Sequence, residues 1–185
     1  MKYRKFGKLD WEVSALGFGA MRLPIIGKDT SKIDEPQSIK MIRYAIDNGV
    51  NYVDTAYPYH QGESEKLVGK ALKDGYREKT KLATKMPTWL TDKREDFDKY
   101  LNEQLEKLQT DHIDFYLLHG LREERWGTLQ EIGVFDWAEK AIEDGLIKHL
   151  GFSFHDELPL FKEIIDAYDK WTFCQIQLNY MDTEY

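Results

Sequence analysis

The sequence is poorest in cysteine: Cys174 stands alone, which excludes an intrachain disulfide and a cysteine-built metal framework. Its expected place is a strand, as a small buried hydrophobe. An excess of positive charge is also missing, with 26 Lys and Arg against 33 Asp and Glu and a formal net charge of −7. That balance disfavours nucleic acid or an anionic membrane as the main partner. No apolar run approaches the roughly 20 residues that span a bilayer, and no secretory leader pattern is visible. A reducing cytoplasm is the expected location. No linker or low-complexity segment interrupts the text, so residues 1–185 are expected to form one domain.

What is present is a steady alternation of strand and helix signals. Residues 2–6 and 11–14 flank Gly-Lys-Leu-Asp10 and read as a hairpin. Residues 16–21 read as a buried strand whose glycines admit a close approach. Asp34-Glu-Pro36 opens a helix with Ile39, Ile42 and Ile46 at helical spacing, closed by Asn48-Gly49. Strands follow at 51–56, 81–86, 113–119, 150–154 and 173–179, with helices at 65–72, from 91, around 135–143 and at 159–168. A polar loop holding Trp126 is expected between the strand at 113–119 and the next helix.

Six strands with five intervening helices imply an α/β fold with a parallel sheet and right-handed crossovers. An open doubly wound sheet would carry Gly-x-Gly-x-x-Gly at a strand-to-helix turn. Gly17-Phe-Gly19 lacks the third glycine and is not followed directly by a helix. A (β/α) barrel instead gathers chemistry at the C-terminal ends of several strands. Asp54, Lys85 and His119 end strand-like runs 31 and 34 residues apart, about one strand–helix unit each. They would converge on one rim with Tyr59. A free phenol ionises near pH 10, and an ammonium at Lys85, kept charged by Asp54, favours its deprotonation. His119 is placed to hydrogen-bond a carbonyl oxygen. The set suits hydride transfer to a carbonyl with nicotinamide as donor.

These strings resemble the aldo-keto reductase family from Met1 onward. The matching segments are Val13-Ser-Ala-Leu-Gly-Phe-Gly-Ala-Met-Arg22, Asn51-Tyr-Val-Asp-Thr-Ala-Tyr-Pro-Tyr59, Leu82-Ala-Thr-Lys85, Asp114-Phe-Tyr-Leu-Leu-His119, Gly151-Phe-Ser153 and Gln175-Ile-Gln177. The resemblance implies that Tyr59 is the general acid, that Lys85 and Asp54 tune it, and that His119 orients the substrate carbonyl. It further implies that Ser153 and Gln175 meet the nicotinamide carboxamide and that Gly19, Ala20, Met21 and Arg22 lie along the cofactor, with Asp54 beside them. NADP is the cofactor the family favours, with NAD the alternative, and no metal is implied. Phe154-His155 follows Ser153 where the family commonly has Asn. The Gly-Phe-Ser-Phe-His-Asp156 wording resembles a prokaryotic branch whose members often carry an iron–sulfur tail. The cysteines of such a tail are not found in this sequence.

Barrels of this kind run to about 250 residues and eight strands, whereas 185 residues supply six. A truncated (β/α)8 barrel with an N-terminal β-hairpin is therefore expected, with carbonyl reduction impaired in this form. Its open apolar edges would invite self-association. The competing expectation is a non-catalytic barrel fragment acting as a structural or interaction module. The remaining partner is a small-molecule carbonyl substrate. Trp89, Trp126 and Tyr57 are candidate pocket aromatics.

Overall fold

A computed structural model describes residues 1–181. A hairpin of β1 (Tyr3–Lys5) and β2 (Glu12–Ser14) precedes a six-stranded parallel sheet ordered β3 to β8. The strands are β3 (Phe18–Gly19), β4 (Tyr52–Asp54), β5 (Lys81–Met86), β6 (Ile113–Leu121), β7 (Ile147–Phe154) and β8 (Phe173–Ile176). Helices α1 (Glu35–Asp47), α2 (Glu63–Ala71), α3 (Arg94–Leu108), α4 (Glu123–Glu131), α5 (Val134–Glu143) and α6 (Leu158–Asp166) fill the crossovers. Each strand pairs with its successor, so the sheet curls as a half-barrel whose edges, β3 and β8, stay open among the described residues.

Register decides which side chains face inward. Asp54 pairs with Ala83, Ala83 with Phe115 and Phe115 with His149. Lys85 pairs with Leu117, Leu117 with Gly151, Gly151 with Phe173 and Ser153 with Gln175. Strand side chains alternate faces, so Asp54, Lys85, Ser153 and Gln175 share the inward face with Ala83, Phe115 and Leu117. His119, two residues beyond Leu117, follows the same alternation. The intervening residues, Val53, Leu82, Met86, Tyr116, Leu118, Leu150 and Phe152, form the larger core under the helices with Phe97, Leu101 and Ile164.

The hairpin plugs the inner floor. Phe6, Leu9 and Trp11 pack on Ala83, Phe115 and Leu117 together with Tyr52 and Phe173. Ring centroids lie 5.1 Å apart for Phe6–Phe115, 5.6 Å for Trp11–Phe115 and 5.2 Å for Phe115–Phe173. Burying Phe115 contributes about 2–3 kcal/mol. A Cβ on Gly151 would collide with the ring of Phe173, so this strand position is bare to admit that ring. Helix starts follow the sequence: the Asp34 carboxylate accepts the Gln37 N–H at 3.1 Å, with Pro36 in the first turn of α1.

Four expectations need correction. Cys174 is exposed, because it lies on β8, an edge strand among the described residues. Residues 16–21 do not form a buried strand: only Phe18–Gly19 pair with β4, Ala20–Arg22 form a 3-10 turn, and Leu16 and Met21 are exposed. The polar stretch after β6 is helical, as α4. It buries only Trp126 and Leu129, too few apolar positions to betray a helix by periodicity. Trp126 belongs to the core rather than a pocket, 2% exposed with its indole N–H donated to Glu163. No helix among the described residues is long and apolar enough to cross a membrane.

Candidate active site

Strand ends carry the site. Lys85 leaves the inward face of β5 and is 2% exposed. Its Nζ donates to Asp54 Oδ1 at 2.6 Å, to the Thr55 carbonyl at 2.8 Å and to the Tyr59 hydroxyl at 3.4 Å. Burial raises the Asp54 carboxyl above its ordinary range, while Lys85 and then the Gln175 amide act in the opposite direction. Tyr59 follows Pro58 in the turn after β4, where Gln61 and His60 adopt φ values of 56° and 52°. Left-handed backbone at such residues costs of order 1 kcal/mol or more each.

His119 closes the group. Its ring stands edge-on to Tyr59 at 5.9 Å and to Trp89 at 5.3 Å. Burial, helped by the charges of Lys85 and His155, pulls its pKa from 6.5 to about 3. The imidazole is therefore neutral at physiological pH. Its backbone carbonyl is held by the Thr88 hydroxyl at 2.7 Å. Arg125 of α4 in turn holds the loop bearing Trp89, donating to the carbonyls of Thr88, at 3.0 Å, and Thr91.

Of the residues singled out from sequence, Asp54, Tyr59, Lys85 and His119 come together as one cluster. Gln175 reaches the vicinity of Asp54, and the Ser153 hydroxyl accepts the Gly120 N–H at 2.7 Å. On the first loop Ala20 is fully buried and its carbonyl is taken by the Ser64 hydroxyl, whereas Met21 is exposed. Open space lies where a Gly19 Cβ would be. Tyr57 stands on the rim, where its hydroxyl donates to Glu103 at 2.9 Å and Lys107 sits 3.9 Å over its ring, and with Trp89 it lines a cavity of about 360 Å³. Sequence reading missed the supports behind the cluster. Gln104 of α3 donates to the Lys85 carbonyl at 3.1 Å and accepts from Tyr116 at 2.6 Å. The fully buried Glu65 accepts from Thr84 at 2.7 Å. No periodicity announces these contacts, because they join α2 and α3 to the outer face of the sheet.

The cluster has unmet bonding capacity. Asp54 Oδ2 and His119 Nδ1 are buried and have no hydrogen-bond partner among the described residues. Ser153 uses its oxygen as an acceptor toward Gly120, which leaves its own proton to donate. An amide that both donates and accepts, such as a nicotinamide carboxamide, fits that inventory.

A parallel half-barrel with titratable groups converging at its strand ends belongs to the (β/α)-barrel class, whose sites lie on that rim. The aldo/keto reductase family model matches residues 15–184, and the chain belongs to that family. The probable aldo-keto reductase 1 of Glycine max is 33% identical over 162 residues, covering 80% of this chain and 44% of that protein. The thermostable aldo-keto reductase Tm1743, solved with the inhibitor epalrestat, superposes with a TM-score of 0.80 at 28% identity over 98% of this chain and 64% of its own. An aldo-keto reductase from Klebsiella pneumoniae, crystallised in complex with NADPH, gives a TM-score of 0.76 at 26% identity over 97% of this chain and 58% of its own. The chain spans about half the length of the curated relatives it matches.

Proposed function

We propose that this chain carries the catalytic rim of an NAD(P)H-dependent reductase of aldehydes or ketones, with Tyr59 as proton donor. The observation that carries the proposal is the buried ammonium of Lys85, bonded at once to Asp54 and to the Tyr59 hydroxyl, beside the neutral His119. NADPH in a related structure supports a nicotinamide cofactor, and NADP is the form proposed here, with NAD the alternative. Ser153, Gln175 and Asp54 would hold its carboxamide, and the Gly19–Arg22 loop would lie along it. When bound, the cofactor supplies hydride to the carbonyl carbon.

The chain's own residues manage the oxygen. Neutral His119, whose Nδ1 has no hydrogen-bond partner among the described residues, can offer an N–H to the carbonyl oxygen without adding a full charge. Tyr59 delivers its proton to that oxygen, and the phenolate left behind faces the Lys85 ammonium 3.4 Å away. Solvent then returns the proton to Tyr59. General-acid catalysis of this kind contributes about 100-fold or more.

The test is Tyr59→Phe, with NADPH oxidation followed against a panel of small aldehydes and ketones. Turnover should fall by two or more orders of magnitude while NADPH affinity, read by fluorescence, stays within about twofold. Unchanged turnover would rule out Tyr59 as donor.

A second reading is a non-catalytic module that associates through its open sheet edges. It is favoured by Ile176 and Leu178, which are 50% and 81% exposed on and beyond β8. A concentration-independent monomer in sedimentation velocity rules it out.

A further inference from the structure

We propose that His60 and Ser64 form a clamp, two positioning residues that fasten the Gly19–Arg22 loop to the turn carrying Tyr59. The clamp works only with the His60 proton on Nδ1. The inference rests on the proposed function in reading that loop as the cofactor's lining.

His60 directly follows Tyr59 and is buried. The Leu23 N–H, one residue past the loop, donates to its Nε2 at 3.0 Å. A ring nitrogen that accepts an N–H carries no proton, so the neutral imidazole keeps its proton on Nδ1. Nδ1 stands 2.7 Å from the Thr30 carbonyl and donates to it. Both nitrogens are thus used, and both on backbone groups of the segment that leaves β3. Gln61 turns the same way, its amide donating to the Thr30 hydroxyl at 2.9 Å. The left-handed backbone at His60 and Gln61 turns both side chains away from their own helix and onto residues 23–30.

Ser64 makes the second fastening. Its hydroxyl donates to the Ala20 carbonyl at 3.0 Å and lies 2.9 Å from the Thr55 hydroxyl, both contacts buried. Thr55 in turn offers its carbonyl to the Lys85 ammonium. The loop is therefore tied at Ala20 to the residue that receives Lys85, and at Leu23 to the neighbour of Tyr59. A ligand lying on that loop would be held in fixed relation to both groups.

Two substitutions separate this role from simple stability. In His60→Gln the amide oxygen can take the place of Nε2 and keep the Leu23 bond. In His60→Asn the shorter amide keeps only the Thr30 bond. Asparagine is the better residue for left-handed backbone, so a role confined to the turn ranks His60→Asn above His60→Gln. The clamp reverses that order.

The experiment combines long-range nitrogen–proton NMR of the wild-type imidazole, amide exchange at Leu23 and NADPH titration. The expected result is an Nδ1–H tautomer, Leu23 exchange faster by about tenfold in His60→Asn, and near wild-type exchange in His60→Gln. NADPH affinity should fall by about tenfold in His60→Asn and in Ser64→Ala. A wild-type Nε2–H tautomer, or equal Leu23 exchange in the two His60 variants, overturns the clamp. Unchanged NADPH affinity in His60→Asn overturns its positioning role. A wild-type chain that binds no NADPH refutes the proposed function instead, while the tautomer and the exchange rates still decide the clamp.

Discussion

Replacing Lys85 with methionine removes a buried ammonium and keeps most of the side chain's volume. Three contacts vanish, to Asp54 Oδ1, the Thr55 carbonyl and the Tyr59 hydroxyl. The largest consequence falls on Asp54, whose side chain is only 11% exposed and loses its counter-charge. Breaking one partner of a buried ion pair costs about 3–5 kcal/mol. The lower end applies here, because Asp54 retains some exposure and can escape by taking a proton. About 3 kcal/mol corresponds to a Tm lower by roughly 6–12 °C for a chain of this size.

The pH dependence follows from the direction in which burial moves Asp54. Burial raises its pKa above the ordinary 3.8 even with Lys85 present, and Lys85 opposes that rise. In Lys85→Met the opposition is gone and the folded-state pKa climbs further. A carboxyl raised in the folded state adds stability below its unfolded pKa and loses it as pH rises through the folded one. The deficit relative to wild type should therefore be small near pH 4–5 and full by pH 8. Urea unfolding followed by tryptophan fluorescence at pH 5 and pH 8 measures both. The double variant Asp54→Asn, Lys85→Met should recover about 1.5 kcal/mol or more of the loss at pH 8. A deficit under about 1 kcal/mol at pH 8, or one equal at both pH values, would refute the dry ion pair.

Gly69→Ala inside α2 would ordinarily gain about 1 kcal/mol in helix propensity. Here the added Cβ meets the Leu108 backbone at 2.7 Å, so a loss of about 1–3 kcal/mol is expected in urea unfolding, and a gain would show that α2 and α3 pack less closely. His119 makes a prediction of opposite pH sign to Asp54. Its folded pKa of about 3 lies below the unfolded 6.5, so its contribution is full above pH 6.5 and declines as pH falls toward 3. Wild type should lose stability more steeply than His119→Asn between pH 6.5 and 4, and parallel slopes would place the imidazole in solvent.

Much of the rim was legible in the sequence because strand ends are local signals. Asp54, Lys85 and His119 each close an apolar run, and their spacing matches a repeating strand–helix unit, so convergence follows from topology alone. Tyr59 is carried with Asp54 by the short turn between them. Edges and faces were not legible. Cys174 lies in an apolar run that reads as buried, yet its exposure depends on what covers the outer face of β8. Helix α4 was hidden because its sequence is polar, and its burial rests on Trp126 and Leu129 alone. Tyr57, Trp89 and Trp126 are indistinguishable as letters. Only packing sends the first to Glu103, the second onto His119 and the third into the core.

The sequence by itself determined the order of the elements, the inward parity of Asp54 and Lys85, and the balance of charge and cysteine. Those properties are set by residues a few positions apart, or by composition. The tertiary structure decided which backbone groups meet the two nitrogens of His60, how far burial pulls the His119 pKa, and which glycines are bare because another group occupies their Cβ space. Each of these depends on groups 20 to 40 residues away in the chain, and such contacts leave no periodic trace in the text.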